Sequence, residues 1–286
     1  MGTWIGEPTP ACDDVAMTSN GLAIIGGGKI GEAMLSGLLR EMYQPEQIVV
    51  VEHYPERGRQ LTEKYGVQIK PIPEAVAASG TILIAVKPQD IDSLLAELRD
   101  LVTADHLIVS VAAGITTARI EKALPSGPAV VRCMPNTPAL VDQAMTAASP
   151  GSNANPEHVA QAVRLLSAVG KVVQVPESQL DAVTALSGSG PAYFFFLVEA
   201  MIDAGILLGL PRALAEELIV ETLYGSAVML RESGEHPVRL REGVTSPAGT
   251  TIAAIRELER HGVRSAFLAA IEAASLRSAE LGRDSV

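Results

Sequence analysis

Two stretches gather residues whose types and spacing can do chemistry. In LAIIGGGKIGEAMLSGLL, Gly26, Gly28 and Gly31 form a G-x-G-x-x-G spacing between an apolar β-type run and a helix-periodic one. In that context the first glycine permits the tight turn, the second lets a pyrophosphate approach the backbone, and the third lets helix pack on strand. In GVTSPAGTTIAAIREL (243–258), a polar run from Thr245 to Thr251 leads straight into an apolar, helix-periodic stretch. Such a start is expected to offer free N–H groups at 248–251, beside hydroxyls, and would hold a carboxylate without an arginine. The pair of features points to a nicotinamide-dependent enzyme that must also orient an anionic substrate.

Other residues surround the first stretch. Glu52 closes the second apolar run, twenty-one positions after Gly31, where an acid would accept ribose hydroxyls of NAD. His53 and Tyr54 follow at once, with Arg57 and Arg59 nearby, and these can hold a 2′-phosphate instead. The two signals conflict, so NADPH and NADH both stay open. AVKPQD (85–90) and SVAAG (110–114) end the next two runs and should overhang the cofactor. Lys87 is expected either to touch cofactor or substrate or to be a solvated loop lysine. Asn136, in RCMPNTP, either meets the nicotinamide carboxamide or forms a turn between two prolines. LSGSGPAYFFF (186–196) repeats the pattern of small hydroxyl residues, glycine and proline at a helix start, which elsewhere marks a capped helix–helix turn.

The elements that must position these residues follow from the periodicity. Strands are expected at 22–26, 48–52, 81–86, 107–113, 129–134, 144–148 and 171–175, mostly continuous apolar runs of the kind covered on both faces. Helices are expected at 29–41, 55–65, 90–101, 115–124 and 156–169. This alternation predicts an α/β fold, a Rossmann-type doubly wound sheet over residues 21–176, with ligands at the carboxyl ends of its strands. From 177 to 286 only helices are expected, in a dimerisation and substrate domain. Their wide apolar faces favour an intertwined homodimer over helices that merely cover their own sheet. Residues 1–20 lack periodicity and a signal-peptide pattern, and read as a disordered extension.

Composition limits the partners. The formal net charge of −11 and the lack of a basic patch argue against nucleic acid or an anionic membrane. The run FFFLVEAMIDAGILLGL (194–210) carries Glu199 and Asp203, and reads as a buried helix of a soluble protein rather than a membrane span. Cys12 and Cys133 show no metal or disulfide spacing, so no metal is expected and the location is read as cytoplasmic.

VTALSGSGPAYFF with VTSPAGTT, together with AVKP, SVAAGI and RCMPNTPA, resembles the pyrroline-5-carboxylate reductase family, in order and spacing from about residue 22 to about 282. The resemblance implies reduction of 1-pyrroline-5-carboxylate to L-proline with NADPH or NADH. It also implies a Rossmann domain followed by a helical dimerisation domain, a homodimer, and in some members a ring of dimers such as a decamer. The active site would lie between one subunit's cofactor domain and the helical domain of its mate. By the same resemblance Ser246, Gly249 and Thr250 hold the substrate carboxylate, and Thr251 bonds the ring nitrogen. The phosphate loop maps to Ile25, Gly26, Gly27, Gly28, Lys29, Ile30 and Gly31. The strand ends map to Ala85, Val86, Lys87 and Pro88, and to Val111, Ala112 and Ala113. Two positions depart from the family: Ala248, where many relatives have glycine, and EHYPERGR (52–59), which lacks the small hydroxyl residues some members place around a 2′-phosphate.

The implied chemistry is hydride transfer from C4 of the nicotinamide to the C=N carbon, with Thr251 as the catalytic group that orients the nitrogen and relays a proton. None of the five histidines falls in the substrate motifs. Two rivals stand beside this reading. A β-hydroxyacid dehydrogenase would need a lysine in its second domain, and none follows Lys171. A non-catalytic dinucleotide sensor would have no evident use for the SPAGTT and SGSGP stretches.

Overall fold

Residues 21–283 are described by a computed structural model; the extension expected over 1–20, with Cys12, lies outside the described residues. The sheet half begins β1 (Gly21–Ile25), α1 (Lys29–Glu41), β2 (Ile48–Val51), α2 (Pro55–Tyr65), β3 (Gln68–Ile69) and α3 (Ile72–Ala77). It continues through β4 (Ser79–Ile84), α4 (Ile91–Leu98), β5 (Leu107–Ser110), α5 (Thr117–Ala123), β6 (Ala129–Met134), β7 (Ala144–Pro150), α6 (Pro156–Ser167) and β8 (Gly170–Gln174). Strand order is β3-β2-β1-β4-β5-β6-β7-β8, and all pairs are parallel except β6 with β7. The order reverses between β1 and β4, so the crevice for a ligand opens at their carboxyl ends.

The apolar runs are strands because both faces are covered. Leu22 and Ile24 of β1 pack with Met34, Leu35 and Leu38 of α1 on one side. Ala23 and Ile25 pack with Ile72, Val76, Leu94 and Leu95 on the other. Each fully buried Leu or Ile contributes roughly 1.5–3 kcal/mol. Cys133 sits inside this core, and burial pushes its thiol pKa up, so it acts as a small neutral packing group. Two elements were missed in the sequence. β3 is a two-residue edge strand and α3 a six-residue helix, both too short to show a period.

Strands end at Gln174, and the described chain then consists of α7 (Leu180–Val183), a π turn (Thr184–Gly188), α8 (Gly190–Leu207), α9 (Arg212–Glu232), α10 (Pro237–Gly243), α11 (Thr250–Arg260) and α12 (Val263–Arg283). The SGSGP stretch therefore does not break the helix. α7 runs through the π turn into α8, because the Ser189 N–H bonds to Thr184 O at 2.8 Å and keeps the ladder going. The helical run Glu177–Leu207 is long and apolar enough, by length and composition, to cross a membrane. The expectation that 194–210 is buried does not hold within one chain. Phe195, Phe196 and Leu207 are 68%, 72% and 87% exposed, since none of the described residues covers them. α9 buries only Ala215, and α10 and α11 bury no residue.

Candidate active site

Four carboxyl-end loops meet at the switch point. The Gly26 N–H bonds to Val51 O at 2.9 Å, the Ala85 N–H to Ile25 O at 2.8 Å, and the Val111 N–H to Ile84 O at 2.9 Å. These bonds bring Ile25–Gly31, Glu52–Tyr54, Ala85–Pro88 and Val111–Ala113 to one edge of the sheet. Gly26 adopts φ 107°, and a Cβ there would stand 2.7 Å from Ala85 O; a Cβ on Gly31 would run into Gly26 O. Both glycines are required by the protein itself. Gly28, at the start of α1, meets nothing within 4 Å of where a Cβ would stand. Its bareness serves no packing need and leaves room for a ligand against the backbone, as a bound pyrophosphate requires.

At the expected ribose end, Glu52, Arg57 and Arg59 each have partners within the protein. Glu52 accepts the Gly27 N–H at 2.9 Å and the Tyr54 N–H at 3.0 Å, so it braces the loop. Arg57 donates to Gly27 O at 2.8 Å and pairs with Glu32, and Arg59 pairs with Glu56. His53, Tyr54 and Lys87 are exposed beside the crevice. Glu32, unmarked in the sequence, takes bonds from Arg57, Lys64 and Tyr65. Burial raises its pKa, but those bonds and the Arg57 charge outweigh burial and hold it at about 2.

Asn136 is engaged within the chain on both sides of its amide. Its amide donates to Ser187 O at 3.2 Å and accepts the Met145 N–H at 2.9 Å. It thus ties the end of β6 to the π turn. Gly188 supports the same junction, since a Cβ there would stand 2.7 Å from Met134 Cε. A second tie lies beneath. Glu177 accepts from the Thr117 N–H at 2.8 Å, Thr117 Oγ1 at 2.7 Å and Arg132 Nη1 at 3.1 Å.

The anion corner between α10 and α11 is built as a helix start with no side-chain cap. Gly249 is its N-cap, and a Cβ there would run into Ser246 Oγ. The expected donors at 248–251 are borne out by the structure at Thr250 and Thr251 but not at Gly249. The Gly249 N–H is used by Ser246 O at 3.1 Å, so the uncommitted first-turn donors belong to Thr250, Thr251 and Ile252. Ala248 stands at φ 57°, in the left-handed region that glycine adopts without strain. Ser246 and Thr250 are exposed and Thr251 is half-buried. One chain therefore brings the four strand-end loops together, and carries the start of α11 on an exposed part of its helical half.

Residues 177–281 match the family model for pyrroline-5-carboxylate reductase dimerisation, and residues 21–114 match that for coenzyme F420-dependent NADP oxidoreductase. The chain is 46% identical over 266 residues to the pyrroline-5-carboxylate reductase of Corynebacterium melassecola, covering 92% of this chain and 98% of that one. The chain belongs to the pyrroline-5-carboxylate reductase family. A reductase of this family from Coxiella burnetii superposes with a TM-score of 0.86 at 36% identity, over 92% of this chain and 99% of that one. The Plasmodium falciparum reductase, solved with NADP bound, superposes at 0.84 and 26% identity, over 93% and 99% of the two chains. The dimerisation match spans the helices whose apolar faces are bare, which supports self-association of the chain through its helical half.

Proposed function

We propose that the chain reduces 1-pyrroline-5-carboxylate to L-proline, the last step of proline biosynthesis, with NADPH as the preferred reductant and NADH as a second. The observation that carries this reading is the end-to-end relation to pyrroline-5-carboxylate reductases at 46% identity. Both ends of the proposed reaction also have a matching feature. Gly28 leaves a bare backbone for pyrophosphate, and α11 offers an uncapped N-terminus for a carboxylate.

When bound, the dinucleotide supplies a hydride to the C=N carbon, and the nitrogen becomes the amine of proline. The chain's residues hold the partners in place. Gly26, Gly28 and Gly31, with Ile25, Gly27, Lys29 and Ile30, form the phosphate loop; Glu52, His53 and Tyr54 border the ribose. Ala85–Pro88 and Val111–Ala113 line the nicotinamide side, and Asn136 fixes the π turn beside it. Ser246, Gly249 and Thr250 hold the substrate carboxylate, and Thr251 donates a hydrogen bond to the ring nitrogen and relays its proton. Orientation and proximity supply most of the acceleration. The two sides come from different subunits of a homodimer, with a ring of dimers up to a decamer as the larger assembly. The division at 176/177, a cytoplasmic location, and the absence of nucleic-acid or membrane partners complete the reading.

A paired assay of purified protein tests it. Nicotinamide absorbance should fall when pyrroline-5-carboxylate is added, faster with NADPH than with NADH. Binding of NADPH with no turnover would sink the reaction and leave a dinucleotide sensor.

A further inference from the structure

Both polar groups of Gly27 are held by side chains from the segment after β2. Its N–H donates to Glu52 Oε2 at 2.9 Å, and its carbonyl accepts from Arg57 Nε at 2.8 Å. Arg57 is itself anchored. Its Nη2 pairs with Glu32, which also takes Lys64 Nζ at 3.0 Å and Tyr65 OH at 2.9 Å, while Nη1 reaches Gln60 Oε1 at 3.3 Å. All three guanidinium nitrogens are therefore engaged, and the Arg57 and Glu32 side chains are only 30% and 21% exposed.

The peptide joining Gly27 to Gly28 is trans, so its carbonyl and its N–H point in opposite directions. With the Gly27 carbonyl drawn to Arg57, the Gly28 N–H is turned the other way, at the open start of α1. Glycine on both sides lowers the resistance of this peptide to a flip. A flip would replace the donor with a carbonyl oxygen, which repels an anion. Something outside the loop must hold the orientation, and Arg57 is the group in place to do so.

We propose that Arg57, held by Glu32, is a positioning residue that fixes the Gly27–Gly28 peptide so that its N–H, not its carbonyl, faces a dinucleotide's pyrophosphate. The proposal rests on the dinucleotide reading above, and extends it to residues outside the glycine spacing. The low pKa of Glu32 fits the role, since the anchor stays ionised across the working range. Because the pyrophosphate is common to both cofactors, the clamp acts on NADPH and NADH alike.

Calorimetric titration of the full-length protein with each cofactor, in the absence of substrate, tests this. Arg57→Ala should weaken both NADPH and NADH by roughly tenfold or more, leaving kcat at saturating cofactor and KM for pyrroline-5-carboxylate within about twofold. Glu32→Gln should weaken both by about threefold, and Arg57→Lys, which keeps the charge but loses the fork, should recover part of the loss. Unchanged affinities would overturn the proposal. So would a loss confined to NADPH, which would make Arg57 a ligand of the 2′-phosphate, or a loss that falls on kcat. Should Arg57→Ala not fold, as judged by its thermal melt, Glu32→Gln and Arg57→Lys decide by the same criteria. Binding is read without turnover, so a wild-type protein that binds both cofactors but reduces nothing would sink the proposed reaction and not the clamp.

Discussion

Glu32 gathers Arg57, Lys64 and Tyr65 around one carboxylate. Burial alone would raise its pKa; the bonds from those three groups, together with the Arg57 charge, bring it from 4.5 to about 2. A group whose folded pKa is depressed contributes stability above its unfolded pKa and loses it as pH falls through the folded value. The contribution should be complete above pH 4.5 and fade between about 4.5 and 2. After screening it should amount to roughly 1–2 kcal/mol. Urea midpoints measured against pH at fixed protein concentration should fall more steeply for the wild type than for Glu32→Gln in that window. At the other end of the proposed site, Thr251 stands in the first turn of α11 with its N–H uncommitted to the helix. Thr251→Ala should lower kcat/KM by about ten- to a thousandfold, the scale of one transition-state hydrogen bond or proton relay. It should leave NADPH affinity unchanged, and wild-type turnover in that variant would remove Thr251 from the mechanism.

At the scale of elements, Glu177 ties the start of α5 to β6 through one carboxylate. It takes the first N–H of α5, the Thr117 hydroxyl and the guanidinium of Arg132, whose side chain is only 8% exposed. Removing the carboxylate leaves a buried cation and a helix N-terminal donor without their acceptor. Glu177→Ala should destabilise the protein by about 2–3 kcal/mol, below the usual range for a fully buried pair because Glu177 is partly solvated. Glu177→Gln should cost less, and thermal unfolding of the two variants checks the order. Element boundaries were legible where periodicity was long. α1, α2 and β6 fall at 29–41, 55–65 and 129–134 as expected, because each presents several turns or a full apolar run to a packed face. β3 and α3 were not legible, since their backbone is recruited by a neighbour: Gln68 and Ile69 pair with Val49 and Val50. The π turn was read as a break because Ser187, Gly188 and Ser189 have no helical preference of their own. The ties from Asn136 and Ser189 impose the helical path there.

In the whole molecule, the sheet half is finished within one chain and the helical half is not. α8 carries Phe194, Phe195 and Phe196, all more than half exposed, on a segment matching the reductase dimerisation family. Placing a charge there should cost more in the assembly than in the lone chain. Phe195→Glu should shift the protein toward monomer in analytical ultracentrifugation and lower activity in parallel, if the anion corner serves the partner's cofactor. An unchanged sedimentation coefficient would place the interface elsewhere on the helices. The sequence by itself determined the doubly wound sheet, its glycine loop and the polar start of α11, because each rests on local rules: an apolar period, a turn that needs bare backbone, and a helix end with free donors. Only the tertiary structure decided which side chains hold those pieces. Arg57 on Gly27, Glu32 on Arg57, Glu177 on Arg132 and Asn136 on Ser187 join residues 25 to 51 positions apart in the chain. No spacing announces such pairs, since they depend on where packing of the sheet and its helices brings two distant side chains within hydrogen-bond reach.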